Sequence, residues 1–472
     1  MSTTFDTLPV VVIGAGPVGL AAAAHLAHRD LPFLVLEAGD GPAAAVRQWG
    51  HVRLFSPWRY NIDAAARRLL SDAGWVEPDP DVLPTGAQLA GDYLQPLADL
   101  PALKPHVRYG ARVEAVTRLG LDRLRTAGRD HVPFLVRLAD GDDVLARAVI
   151  DASGTWGTPN VLGASGIPAR GEQAAVGFVE HALPDVLGAD RGRFAGTRTV
   201  VVGAGHSAAN TLLALAELAG QVPGTSVVWA IRATSPARTY GGGAADALPA
   251  RGAIGSRLRE HVEAGTVELV TGFAVQAVTI DGGRVVLSGG SRAITADRIV
   301  AATGFRPDHG IVSELRLDLD PILGSTRALA PLIDPNEHSC GTVPPHGVDE
   351  LTHPEPGFYA VGVKSYGRAP TFLLATGYEQ ARSVVAALAG DWTAARDVQL
   401  DLPETGVCNS NAPTETATIE SNGGCCSTPA ETPAAVPAGR GLATGIAGGL
   451  LSAPLTLVAQ PTAGEQSGGC CG

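Results

Sequence analysis

Two glycine-rich turns, Gly14-Ala-Gly16-Pro-Val-Gly19 and Gly203-Ala-Gly205-His-Ser-Ala208, carry the most readable chemistry in this chain. A turn of this type holds a nucleotide diphosphate. The first glycine makes the tight turn, the second lets phosphate approach the backbone, and the third small residue lets helix and strand pack closely. The following helix offers unpaired N–H groups and the positive end of its dipole to the anion. Glu37 stands where an acidic side chain accepts the ribose hydroxyls of an adenine nucleotide. At the corresponding place after the second turn there is no acid but Arg232, and a cation there suits a 2′-phosphate. Arg238 is a weaker candidate for the same task. Two such turns in one chain point to two bound nucleotides with electrons passing between them.

The elements around the turns fit that use. Val10-Val-Val-Ile13 precedes the first turn, an Ala/Leu-rich helix runs through His28, and Phe33-Leu-Val-Leu-Glu37 reads as the next strand. Residues 196–232 repeat the pattern and end in Val227-Val-Trp-Ala-Ile-Arg232. Residues 106–118, 132–149 and 274–287 alternate apolar and polar side chains, as hairpin strands do. Ala148-Val-Ile-Asp-Ala-Ser-Gly154, Arg298-Ile-Val-Ala-Ala-Thr-Gly304 and Phe358-Tyr-Ala-Val-Gly362 are further strands running into glycine. A helix is expected over about residues 375–389. The pattern predicts an α/β fold with two Rossmann-like dinucleotide-binding domains. One is built from residues 1–195 and 290–395, and the other, 196–289, is inserted into it. Beyond Trp392 no aromatic residue occurs, and residues 396–472 read as a flexible, cysteine-containing tail.

Composition narrows the partners. A net charge of −12 over 472 residues disfavours nucleic acid and anionic membranes. The most apolar stretch, residues 442–459, is rich in Gly and Ala and is interrupted by Pro454, so no membrane span is expected. The N-terminus enters a strand within ten residues without a basic leader, and the cytoplasm is the expected location. The six cysteines are Cys340 and five in the tail, which is no disulfide framework for a core. Lysine occurs only at positions 104 and 364.

Taken in order, the two turns, Glu37, Asp151-Ala-Ser-Gly154, Ala302-Thr-Gly304-Phe-Arg-Pro307 and Phe358–Gly362 resemble the two-dinucleotide-binding-domain flavoproteins. Within them the chain resembles the NADPH-dependent flavin monooxygenases. The resemblance covers roughly residues 8–390 and implies FAD at the first turn and NADPH at the second. It differs from the pattern in three places. Phe178-Val-Glu-His181 keeps a histidine but not the spacing of the monooxygenase signature. Val363-Lys364 follows Gly362 where disulfide-reductase relatives carry an aspartate. No Cys-x-x-Cys pair lies near either turn, which argues against a dithiol enzyme. Residues 49–63, Asn336-Glu-His-Ser-Cys340 and Lys364-Ser-Tyr-Gly-Arg368 resemble a branch found in arsenic-resistance operons.

The resemblance implies roles for single residues. Gly14, Gly16, Gly19, Glu37, Val113, Gly154, Gly304 and Gly362 are expected at FAD. Gly203, Gly205, Ser207 and Arg232 are expected at NADPH. Trp49 and Ser56, with Phe55, Pro57 and Trp58, are expected to wall the flavin or else to form a core turn. Asn61 matches a position beside the flavin. His181 and His206 read as hydrogen-bonded residues rather than general bases. Cys340 is expected to help capture a thiophilic substrate. The pairs Cys425-Cys426 and Cys470-Cys471 suit a soft ion such as trivalent arsenic, with no resident metal expected. The expected reaction takes hydride from NADPH and passes oxygen from dioxygen to a soft nucleophile, first trivalent inorganic or methylated arsenic, then sulfur or nitrogen compounds. A reductase or oxidase without oxygen insertion, and a thiophile-binding protein, remain alternatives.

Overall fold

Near-continuous runs of Val, Ile and Leu make parallel strands that are buried on both faces, and this chain uses them twice. The computed structural model describes residues 5–243, 246, 248–338 and 343–400. β1 (Val10–Ile13), β2 (Phe33–Leu36), β3 (Val107–Arg108) and β4 (Ala148–Asp151) build the first sheet. β5 (Val179–His181), β6 (Arg198–Val202), β7 (Ser226–Ala230), β8 (Val267–Val270) and β9 (Arg298–Ala301) build the second. The chain then returns to the first sheet with β10 (Phe358–Ala360). The spatial orders are β10-β4-β1-β2-β3 and β8-β7-β6-β9-β5. Every pairing in both sheets is parallel. This is the α/β architecture with two Rossmann-like units that the apolar runs predict.

Each sheet carries its turn and its helix in the same place. β1 leads into α1 (Pro17–His28), and β6 leads into α2 (His206–Gln221). α1 is buried at every residue from Val18 to Leu26, so its Ala-rich, nearly all-apolar sequence matches its surroundings. It packs on α3 (Leu374–Leu388), where Gly377 is needed because a Cβ there would lie 2.7 Å from Val18 Cγ2. Each unit also has a three-stranded antiparallel sheet. One is Val113–Arg118, Phe134–Leu138 and Asp143–Ala146; the other is Ala277–Asp281, Arg284–Gly289 and Arg292–Ala296.

The second sheet reaches beyond residues 196–289 on both sides, through β5 and β9. β9 pairs with β6 and β5 pairs with β9, so both complete the second sheet rather than the first. The connections between the two sheets therefore run side by side at residues 155–160 and 303–306. Asn160 ties them together. Its Nδ2 donates to the Thr303 carbonyl (3.0 Å), its Oδ1 accepts from Arg306 Nε (3.0 Å), and its carbonyl accepts from the Thr303 hydroxyl (2.8 Å).

Buried histidines make the stability of this fold pH-dependent. His353 is 5% exposed, its Nδ1 accepts the Asp318 amide (3.2 Å), and its ring lies 5.7 Å from that of Phe358. Burial, and then the nearby His309, push its pKa down to about 4. The imidazole is thus neutral in the fold but protonates in the unfolded chain below about pH 6.5. Its contribution is fully present above that pH and is lost as the pH falls towards 4, amounting to at most about 3 kcal/mol. His309 and His346, also lowered mainly by burial, act in the same direction. Urea unfolding at pH 7.5 and pH 5 should show this loss, and His353→Gln should flatten it. A variant with the wild-type pH slope would contradict the assignment.

Candidate nucleotide sites

The first turn is shaped by what its glycines avoid. Gly14 has φ +100°, and a Cβ there would lie 2.9 Å from the Ala152 carbonyl oxygen. A Cβ on Gly19 would lie 2.0 Å from the Gly14 carbonyl oxygen. Gly16 is the opposite case, because the space its Cβ would enter is empty to 4 Å. Gly16 is also the N-cap of α1, and no side chain caps that helix, so its first N–H groups face outward for a ligand.

Glu37 directly follows β2 beside this turn and organises it. One carboxylate oxygen accepts the Ala15 amide (2.7 Å), and the other accepts the Gly39 amide (2.8 Å). A carboxylate has about four acceptor positions, so capacity for ribose hydroxyls remains. Glu37 lines a cavity of about 250 Å³ together with Gly14, Val113, Ser153, Gly154 and Lys364. Arg112 and Asp308 are its other charged walls. Sequence reasoning named four of these residues, Gly14, Glu37, Val113 and Gly154, and missed Arg112, Ser153, Asp308 and Lys364.

The second turn repeats the first. Gly203 has φ +139°, and its Cβ would lie 2.0 Å from the Ala302 carbonyl oxygen. Gly205 caps α2 without a side-chain partner and faces empty space. Ser207 lies in the first turn of α2. Arg232 lies just beyond β7, is exposed, and has no hydrogen-bond or ion-pair partner among the described residues. Arg238 donates to the Pro335 carbonyl (3.3 Å). The His206 ring lies 5.2 Å from that of Phe55, tilted by 41°, which brings the first unit's loop onto the second turn.

The remaining sequence candidates fall elsewhere. Asn61 is 1% exposed, and its Nδ2 donates to the carbonyls of Ser56 (2.7 Å) and Pro57 (2.9 Å). Its Oδ1 accepts from the Ser56 hydroxyl (2.9 Å). The pair fastens the 56–61 loop and does not line the cavity. Trp49 packs on Gly86, where a Cβ would sit 2.7 Å from the indole. Gly304 belongs to the crossing between the sheets, its carbonyl accepting the Asn160 amide (2.8 Å). Gly362, φ +71°, packs against Val18 in the first turn of α1. His181 is exposed at the end of β5, the edge strand of the second sheet. Cys340, Cys425, Cys426, Cys470 and Cys471 lie outside the described residues.

Two open glycine turns, each on its own parallel sheet, define a protein of the two-dinucleotide-fold class. The chain belongs to the pyridine nucleotide-disulphide oxidoreductase family, whose sequence model matches residues 11–321. FAD and NADPH are its cofactors. A ferredoxin–NADP reductase of Gluconobacter oxydans is 30% identical over 250 residues, 49% of this chain and 66% of that protein. Indole-3-pyruvate monooxygenase YUCCA1 of Oryza sativa is 32% identical over 199 residues, 42% of each. The chain thus spans less than two thirds of the length of either relative. The bacillithiol disulfide reductase Bdr of Bacillus cereus has the same fold, with a TM-score of 0.60 at 19% identity, over 81% of this chain and 99% of that one. Among the described residues no helix is long and apolar enough to cross a membrane.

Proposed function

We propose that this protein is an NADPH-dependent flavin monooxygenase that transfers oxygen from dioxygen to a soft small-molecule nucleophile. The observation that carries this reading is a pair of open nucleotide turns with no cysteine before Cys340. Among the described residues no dithiol stands beside the first turn, which favours dioxygen over a disulfide as the outlet. The likeness to the rice monooxygenase supports the same outlet. Residues 1–195 and 290–395 hold FAD, and residues 196–289, completed by β5 and β9, hold NADPH.

The residues fit these groups. The empty space at Gly16 and the uncapped start of α1 would take the FAD diphosphate, with Glu37 at the ribose and Val113 at the adenine. Gly205 and the start of α2 would take the NADPH diphosphate, and Arg232 its 2′-phosphate. When bound, FAD supplies hydride acceptance from NADPH and the activation of dioxygen. The protein contributes position. Asn61 and Ser56 hold Phe55 over the second turn, and Asn160 fixes the crossing that joins the two units.

Arg232→Ala should raise KM for NADPH roughly tenfold or more while barely changing that for NADH, because the charge-assisted bonds to the 2′-phosphate are lost. Equal effects on both nucleotides would refute the role.

Trivalent arsenic, inorganic or methylated, is the preferred substrate. The neighbouring thiols Cys425-Cys426 and Cys470-Cys471 support it, since soft ions select thiolate. Cys340 would capture the substrate, while the tail raises its local concentration. NADPH oxidation should be measured against arsenite, methylarsenite, sulfides and amines. Truncation near residue 400 should leave turnover at saturating substrate intact, and Cys340→Ser should reduce it. The reverse pattern would make the tail the site. The Gluconobacter likeness favours a second reading, a reductase feeding a one-electron protein. That reading requires NADPH-driven reduction of ferredoxin without oxygen.

A further inference from the structure

Lys364 is one of two lysines in a chain whose other side-chain cations are arginines and histidines, and it is buried. Its ammonium donates to Asp151 Oδ2 (2.6 Å) and Ser153 Oγ (3.0 Å). Both members of the ion pair are almost fully shielded, at 2% and 0% exposure. The other Asp151 oxygen accepts the Ser153 hydroxyl (2.6 Å) and amide (3.1 Å), so this carboxylate is committed locally. An ammonium has three donors. The third has no acceptor among the described residues, and Lys364 lines the same cavity as Gly14.

Its place in the fold is equally specific. β10 pairs with β4, Ala360 opposite Asp151, so the ion pair closes over the C-terminal ends of two neighbouring strands. That is the edge at which open α/β sheets bind ligands. Gly362, two residues before Lys364, sits with its Cβ position 3.2 Å from Val18 in the first turn of α1. Lys364 therefore lines the cavity that Gly14 of the first turn also borders, on the side where the chain packs against the first turn of α1. A buried ion pair by itself stabilises little over an apolar pair of the same volume. An arginine here would spend its fork on both Asp151 oxygens, whereas the compact ammonium keeps one N–H free.

We propose that Lys364, oriented by Asp151 and Ser153, is a cation for the diphosphate of FAD. The proposal rests on the reading of the first turn as the FAD site. It adds a second cation, beside Arg112, to a cavity whose glycine turn offers backbone N–H groups.

The test uses the full chain stripped of FAD, titrated with FAD and with ADP, which has the diphosphate but no flavin ring. Lys364→Gln should weaken both ligands by a similar factor, roughly tenfold or more, as expected for one charge-assisted hydrogen bond. Lys364→Arg should recover part of that loss. The midpoint potential of the bound flavin should stay at the wild-type value. The double variant Asp151→Asn with Lys364→Gln keeps a neutral hydrogen-bonded pair, and it should show the same loss if the single variant fails to fold. Unchanged ADP and FAD affinity in the double variant would overturn the proposal. A lowered potential with unchanged ADP affinity would also overturn it, by placing the charge at the ring. Wild-type protein that binds no FAD would instead overturn the reading of the first turn.

Discussion

Gly16→Leu should give a folded but colourless protein. Gly16 has φ −78° and ψ −175°, an extended conformation that leucine adopts without strain, and its Cβ would meet nothing in the protein. The side chain would instead fill the space at the start of α1 that the FAD diphosphate needs. The expected loss in FAD affinity exceeds a hundredfold, about 2.7 kcal/mol. The far-UV spectrum and melting temperature of the FAD-free protein should stay near those of the wild-type FAD-free protein. Gly14→Leu would be a poor substitute, since φ +100° and the Ala152 carbonyl forbid a side chain whether or not FAD binds. A Gly16→Leu protein that purifies with one FAD per chain would show that the first turn has been misassigned.

Gly205→Leu should separate the two half-reactions. Gly205 is likewise extended, at φ −92° and ψ −178°, and faces empty space. The variant should keep stoichiometric FAD and accept electrons from dithionite. Its reduction by NADPH should fall at least a hundredfold, about 2.7 kcal/mol in transition-state stabilisation. Stopped-flow reduction under anaerobic conditions measures this directly. Wild-type rates with NADPH would remove the second turn from the mechanism.

The two turns were legible because their function is local. Strand, glycines and helix are contiguous in sequence, and only Gly satisfies the positive φ at Gly14 and Gly203. The long-range contacts behind each turn were not legible. The Ala152 and Ala302 carbonyls that exclude side chains come from strands far along the chain. The extent of the second sheet was hidden for the same reason, because β9 pairs with β6 across 99 residues and β5 with β9 across 120. Asn61 looked like a flavin neighbour, yet its amide is spent on two carbonyls and a hydroxyl within its own loop. Residue type alone does not tell a satisfied amide from one aimed at a ligand. Lys364 stood out as a departure from one family pattern and as part of the Lys364–Arg368 stretch, without a role of its own. The rarity of lysine in this chain was a further signal, and burial beside Asp151 gave it meaning.

Oxygen insertion is the central claim, and coupling stoichiometry tests it most directly. NADPH consumed, dioxygen consumed, peroxide released and product formed should be measured together with methylarsenite, arsenite, sulfides and amines. The account predicts one NADPH and one dioxygen per oxygenated product for at least one of these nucleophiles, with peroxide release suppressed when that compound is present. Peroxide matching NADPH for every compound, or electron flow only to ferredoxin without oxygen uptake, would contradict it.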